Sequence, residues 1–217
     1  MKKPDNVQTK GVFAMDTRTL DQTLDVLGGL GLLPHLILTG DYGVYLLGHL
    51  EGYTFSCAQK PSDIVFLVED VLTRGRYPGF HAAFRDAGFD YLEDCYGSIG
   101  VFFRGETRIR FNASLTGSRE RRIVDLKGLG LRIMADRKYN ILYDHVATHP
   151  YRNHTLRLPS LASLLAYKIR AGRTDKGNAF VLDTMVHDLI LQDRDPHSLL
   201  SPYPDAQRRY LSIFPGK

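Results

Sequence analysis

HLILTGDY at residues 35–42 and SDIVFLV at residues 62–68 are the two β-like runs on which the fold of this chain depends. The first run stops at Gly40, and residues 42–50 then have the pattern of a helix. In the second run Asp63 precedes an almost continuous apolar segment, which is typical of a central strand covered on both faces. The order strand, glycine turn, helix, strand predicts a mixed α/β sheet.

Further elements on both sides of these runs complete an α/β (α+β) pattern. A helix with Leu20, Leu24 and Leu27 on one face begins at Asp16 or Thr17 and ends at Gly28. After the second run we expect a helix at 77–88, strands at 91–92, 100–104 and 107–112, and β-like pieces at 131–134 and 140–143. Residues Gly105 and Glu106 predict a hairpin turn.

The last quarter of the chain has a helical pattern. Ser160 can cap a helix with leucines on one stripe, a second helix is predicted at 178–192, and a short one at 206–214. The sequence therefore predicts a flexible N-terminus at 1–15, an α/β core at 16–155, and a helical C-terminal region at 156–217 that packs on the core.

Composition excludes several classes of protein. The 217 residues are 43% hydrophobic, which is enough for a core and excludes disorder for most of the chain. The longest apolar run, 26–38, contains glycines and a proline, so we expect no membrane span, and no secretory signal follows the charged N-terminus. Cys57 and Cys95 form no zinc pattern. We therefore expect a soluble, cytoplasmic protein.

The net charge is +4, and the basic residues cluster in two segments, 108–122 and 168–176. Such clusters can attract a phosphate-bearing ligand, because opposite charges attract one another over about 8–10 Å in physiological salt. They are also compatible with an ordinary solvated face of the protein. The sequence leaves both interpretations open.

The glycine turn at Gly40 and the Ser62-Asp63 pair resemble the core of the nucleotidyltransferase superfamily. The resemblance is closest to its AbiEii-like group, which includes toxin components of antitoxin-paired systems. Residues 158–173 are similar to that group's helix whose lysine contacts the triphosphate, a position held here by Lys168. Lys176 and Asp183 follow where the group carries a basic and an acidic residue. The similarity covers residues 30–70 and 156–192.

The resemblance implies a protein that binds a nucleoside triphosphate with Mg²⁺ and transfers a nucleotidyl group to a hydroxyl of RNA, a protein or a small molecule. In such reactions a divalent metal neutralises the charge that develops on the phosphate oxygens. The resemblance assigns catalysis to Asp63 and Lys168, and it assigns metal binding to Asp63. The nucleotide-binding residues that it implies are Gly40, Asp41, Tyr42, Ser62, Arg110, Lys168 and Arg173.

One position departs from the family pattern. The group carries Asp-x-Asp on this strand, so that two carboxylates point the same way, but Val65 occupies the second place. Asp41 is one candidate replacement; Glu69 and Asp70 lie about 20 Å along the strand, too far to share an ion with Asp63. The alternative is therefore a catalytically degenerate binding or regulatory protein, in which Val65→Asp would restore metal binding.

A third acidic residue usually lies on a neighbouring antiparallel strand, for which residues 108–112 are the candidate. Alternation places Arg108, Arg110 and Asn112 on one face. If this face meets Asp63, the arginines either hold phosphate or pair with Asp63.

Each remaining candidate also has a structural interpretation. Gly40 is also compatible with an ordinary turn, Asp63 with a polar strand end, and Lys168 with a favourable helix-dipole contact. Asp183 and His187 lie one helical turn apart, either as a base and acid pair or as an exposed pair.

Overall fold

The computed structural model describes residues 17–56, 63–69, 72, 75–93, 99–115, 121–172 and 176–216, and it does not describe the side chains of Arg121 and Lys176. A mixed seven-stranded sheet lies at its centre, and a separate two-stranded hairpin lies beside it. The predicted α/β class is confirmed. The strands are β1 (Leu36–Thr39), β2 (Asp63–Val68), β3 (Asp90–Glu93), β4 (Gly100–Arg104), β5 (Thr107–Ser114), β6 (Arg121–Leu126), β7 (Leu131–Asp136), β8 (Val146–Tyr151) and β9 (His154–Pro159).

Helices flank the sheet close to where the sequence predicts them. They are α1 (Arg18–Gly29), α2 (Gly40–Glu51), α3 (Phe80–Asp86), α4 (Leu161–Ala171), α5 (Lys176–Leu191), α6 (Pro196–Leu199) and α7 (Pro204–Ile213). Ser160 caps α4 as expected, because its Oγ accepts a hydrogen bond of 3.1 Å from the Ser163 backbone N–H. No described helix is long and apolar enough to cross a membrane.

The strand order is β1-β2-β5-β4-β3, with β7 beside the second half of β5 and β6 beside β7. β2 runs antiparallel to β1 and parallel to β5. The expectation that residues 108–112 form an antiparallel neighbour of β2 is therefore wrong. Parallel neighbours need a long crossover connection, and α3 with the β3–β4 hairpin supplies it.

A second correction concerns residues 140–143, for which the sequence predicts a β-like piece. They belong to a 3-10 helix, Arg137–Tyr143. The Asp136 side chain starts this helix, since its Oδ1 accepts a hydrogen bond of 2.8 Å from the Lys138 backbone N–H. This local bond gives the backbone an alternative to pairing in the sheet.

The two faces of the central strands have opposite characters. Ile64, Phe66, Ile109 and Phe111 are buried on one face, where Phe66 stacks on Phe111 with ring centroids 5.7 Å apart and Phe80 of α3 packs edge-on against Phe111. Because side chains alternate along a strand, Asp63 and Val65 of β2 and the polar residues of β5 share the other face. The core on one side therefore leaves a polar surface on the other.

The helical C-terminal region closes over this polar face. α4 packs against the 3-10 helix, α5 and α7, and it also contacts α2. The division at residue 156 stays a prediction. The predicted flexible N-terminus at 1–15 and both cysteines lie outside the described residues.

Candidate functional site

A cleft of about 660 Å³ lies where the polar face of β2 and β5 meets the glycine turn, the 3-10 helix and α4. Its volume is within the range of about 300–1,000 Å³ that is typical of small-molecule sites. Five of the residues that the resemblance implies line it: Gly40, Asp41, Asp63, Arg110 and Lys168. Residues far apart in the sequence therefore meet in one cavity.

Asp63 lies at the base of the cleft and is held by two arginines of β5. The Nη2 atom of Arg108 donates a hydrogen bond of 3.1 Å to Oδ2 of Asp63, and its Nε lies 2.9 Å from Oδ1. The Nη2 atom of Arg110 lies 2.8 Å from Oδ2. The strand register brings Asp63 beside Arg108 and Val65 beside Arg110. The arginine face of β5 therefore pairs with Asp63.

The glycine turn forms a second side of the cleft, between β1 and α2. Gly40 has a positive φ of 73°, a conformation that glycine adopts without the steric cost of a side chain. A Cβ atom on Gly40 would lie 3.0 Å from Cγ2 of Val65. The turn therefore packs directly on the side chain of Val65.

Lys168 brings a cation into the cleft from α4. It is only 5% exposed, and its Nζ donates a hydrogen bond of 2.9 Å to Oδ1 of Asn178 on α5. The same Nζ lies 4.0 Å from Oδ1 of Asp41. A lysine is almost never buried to this extent unless it has partners of this kind. Lys168 therefore contacts Asn178 and Asp41 inside the cleft, in addition to any favourable interaction with the helix dipole.

The remaining wall comes from the 3-10 helix and α4. Tyr139 and Tyr167 have ring centroids 5.7 Å apart, and the Asn112 side chain donates a hydrogen bond of 3.1 Å to the Tyr139 hydroxyl. Both tyrosines and Lys138 line the cleft. An aromatic surface thus lies in the same cavity as the cations, and stacking against a flat ring is a favourable use of such a surface.

Charged side chains of both signs line the cleft, and the positive ones exceed the negative ones by one. The cations are Arg108, Arg110, Lys138 and Lys168, and the carboxylates are Asp41, Asp63 and Asp136. Asp63 is shared by two guanidinium groups, so the arginine pair keeps a positive excess. The cavity is therefore suited to an anion with several oxygen atoms.

The residues present do not fit the magnesium site that the resemblance implies. Mg²⁺ requires near-octahedral oxygen ligands at about 2.0–2.1 Å, usually including one or two carboxylates. Here both oxygens of Asp63 face guanidinium nitrogens, and Val65 offers no oxygen. Among the described residues no group of three or more His, Cys, Asp or Glu side chains could hold a metal ion.

Other predicted residues lie elsewhere. Tyr42 does not line the cleft, since its side chain is 2% exposed and packs in the hydrophobic core. Asp183 and His187 are on α5 and are exposed, and neither lines the cleft. Glu69 lies beyond the far end of β2, where Arg157 Nη1 approaches to 2.6 Å. Ser62, Asp70, Arg173 and the Lys176 side chain are not described.

Sequence reasoning missed several residues of the cleft, and most of them lie in segments without a clear pattern. Asp136, Lys138 and Tyr139 surround the start of the 3-10 helix, for which a β-like piece is predicted nearby. The signal that could have found them is the Asp-x-Lys spacing, because an aspartate two residues before a backbone N–H commonly caps a turn. Tyr167 and Asn178 carried no comparable signal.

No protein-family model matches this chain, and no curated protein matches it with significance. Its function is therefore inferred from the residues that line the cleft.

Proposed function

We propose that this chain binds a nucleoside triphosphate through its phosphates in the cleft, on a nucleotidyltransferase-like scaffold that has lost the paired-carboxylate metal site. The observation that carries the proposal is the convergence of Arg108, Arg110, Lys138 and Lys168 on one cavity beside the glycine turn. Arginine forks and lysine ammonium groups are the side chains that most often bind phosphate oxygens.

The size and lining of the cleft support a nucleotide as the ligand. A triphosphate chain offers several oxygens to the separated cations, and the Tyr139–Tyr167 surface offers an apolar face for a base. Lys168 is buried, so its attraction for an anion is screened less by salt than that of an exposed charge.

The alternative is Mg²⁺-dependent nucleotidyl transfer to RNA, a protein or a small hydroxylated acceptor. That reaction needs Asp63 as a metal ligand, whereas its carboxylate is engaged by two guanidinium groups. A binding or regulatory role in the cytoplasm fits the cleft better. The cytoplasmic location rests on the composition of the chain, and the kind of acceptor rests on the resemblance.

Isothermal titration calorimetry with ATP, GTP, CTP and UTP tests the proposal, once with EDTA and once with Mg²⁺. We expect at least one nucleotide to bind in EDTA with an affinity within about threefold of that in Mg²⁺, because the protein's cations supply the neutralising charge. Failure of all four nucleotides in both buffers would overturn the proposal. Binding that requires Mg²⁺ and disappears in Asp63→Ala would favour the transferase instead.

Two variants with matched controls locate the site. Lys168→Met should weaken nucleotide binding by about tenfold or more, since a charge-assisted hydrogen bond contributes about 1.5–3 kcal/mol. Lys127→Met is its control, because Lys127 is exposed on a turn outside the cleft. Arg108→Met should likewise weaken nucleotide binding. Its control is Arg122→Met, because Arg122 is an exposed arginine of β6. Circular dichroism must show that each variant is folded.

A further inference from the structure

The two arginines of the cleft already hold an anion that belongs to the protein itself. Asp63 presents both carboxylate oxygens to them, at 2.9 Å from Arg108 Nε and 2.8 Å from Arg110 Nη2. A carboxylate and a phosphate can each accept two parallel N–H···O bonds from a guanidinium fork. Asp63 therefore occupies the position at which a ligand phosphate would find its best donors.

The two arginine side chains are more exposed to the cleft than the carboxylate of Asp63. The side chains of Arg108 and Arg110 are 54% and 38% exposed, whereas that of Asp63 is 16% exposed. Each guanidinium has five N–H donors. Nε of Arg110 is buried and has no hydrogen-bond partner among the described residues. A ligand in the cleft would thus reach the exposed guanidinium groups of both arginines, where it meets Asp63 as a competitor for their donors.

We infer that Asp63 sets the anion selectivity of the cleft, by competing as an internal carboxylate for Arg108 and Arg110. This inference rests on the proposed function. A single phosphate offers little beyond what Asp63 already supplies to the arginines, so it gains little on binding. A triphosphate also reaches the cations on the other walls, Lys138 and Lys168, and these extra contacts favour it over the internal competitor.

The opposite role for Asp63 makes the opposite prediction. If Asp63 only positioned the arginines for the ligand, its replacement would leave two guanidinium groups without orientation, and every anion would bind more weakly. If Asp63 competes, its neutralisation removes a negative charge about 3 Å from the donors, and anions bind more tightly. Asp63→Asn distinguishes the two because asparagine keeps the shape and one acceptor oxygen while removing the charge.

The experiment is calorimetric titration of the wild-type chain and Asp63→Asn with orthophosphate and tripolyphosphate, in low salt with EDTA. We expect orthophosphate to bind Asp63→Asn about tenfold more tightly or better, and tripolyphosphate to gain less, because it already makes contacts elsewhere. The preference for tripolyphosphate over orthophosphate, expressed as the ratio of their affinities, should therefore be smaller in Asp63→Asn than in the wild-type chain. Asp41→Asn serves as a comparator: it removes another carboxylate of the cleft, 4.0 Å from Lys168 Nζ, and should not selectively favour orthophosphate.

The outcomes separate this inference from the proposed function. If wild-type protein binds tripolyphosphate but Asp63→Asn binds orthophosphate no better, or binds both anions more weakly, the inference is overturned and the proposed function stands. An equal gain in Asp41→Asn would also overturn it, because general electrostatics would then suffice. If wild-type protein binds neither tripolyphosphate nor a nucleotide, the proposed function fails. Asp90→Asn, at an exposed site on β3, should change neither affinity.

Discussion

Val65 and Arg110 are register partners across the parallel pair β2–β5, so the side chain at residue 65 lies beside a guanidinium group. A carboxylate introduced at residue 65 would therefore meet a cation before it met a metal ion. This changes what substitution at Val65 should do.

We predict that Val65→Asp alone does not create a metal site, contrary to the expectation from sequence. The new carboxylate should pair with Arg110, as Asp63 does now. Electron paramagnetic resonance of Mn²⁺ titrations measures this directly and should show no binding beyond that of the wild-type chain. Val65→Asp combined with Arg108→Met and Arg110→Met should bind Mn²⁺, since two carboxylates are then released. Mn²⁺ binding by the single variant would show that the arginines do not block the site.

Gly40→Ala should destabilise the protein through two separate effects. The positive φ costs roughly 1 kcal/mol for a residue with a Cβ atom, and the contact of 3.0 Å with Val65 Cγ2 adds about 1–2 kcal/mol. Gly52→Ala is the matched control, because Gly52 has a φ of 80° and nothing within 4 Å of its Cβ position. It should show the first effect alone.

Urea denaturation measures both free energies of unfolding. In Gly40→Ala with Val65→Ala, the steric part of the Gly40→Ala cost should decrease, because the closest contacting methyl group is gone and only the contact with the residue 65 Cβ at 3.2 Å remains. Equal losses in the two glycine variants would contradict a specific contact between the turn and Val65.

Asp188 should be a major contributor to stability. This residue of α5 is 5% exposed, and its carboxylate accepts hydrogen bonds from the Ser56 backbone N–H at 2.5 Å and from the Ser56 hydroxyl at 2.8 Å. Asp188→Ala should lower the free energy of unfolding by about 2–3 kcal/mol, since hydrogen bonds to a charged group contribute about 1.5–3 kcal/mol. Ser56→Ala should cost about 1 kcal/mol, because the backbone bond remains. This assignment would be contradicted if chemical denaturation showed a larger loss of unfolding free energy for Ser56→Ala than for Asp188→Ala.

We predict that Glu51, at the C-terminal end of α2, makes the free energy of unfolding depend on pH. Burial raises the pKa of its carboxyl group, and the nearby His149 lowers it by a smaller amount. A raised pKa in the folded state means that the contribution of Glu51 to stability is present below the pKa of the unfolded chain and is lost as pH rises through the folded value. Glu51→Gln should therefore gain stability relative to wild type as pH rises through the range in which Glu51 ionises in the folded protein. Thermal unfolding across this range measures the difference, and a constant difference would contradict the raised pKa.

Local patterns predicted the elements well, because they depend on neighbouring residues. The stop at Gly40, the strand from Asp63 and the cap at Ser160 each follow from the chemistry of a few adjacent positions. The 3-10 helix at Arg137–Tyr143 was missed because the Asp136 side-chain bond overrides the β-like pattern of the residues that follow. The direction of β5 was mistaken because it depends on a crossover of many residues.

By itself, the sequence determined that Arg108, Arg110 and Asn112 share one face of a strand, and that valine, not a carboxylate, follows two residues after Asp63. Alternation along a strand has a period of two, so these facts need no knowledge of the rest of the chain. Only the tertiary structure decided that this face meets Asp63, through the parallel register of β2 and β5. It also brought Lys138, Lys168 and Asn178 to the same cleft. Such meetings depend on how helices and strands from distant segments pack on a common core, and no local pattern encodes them.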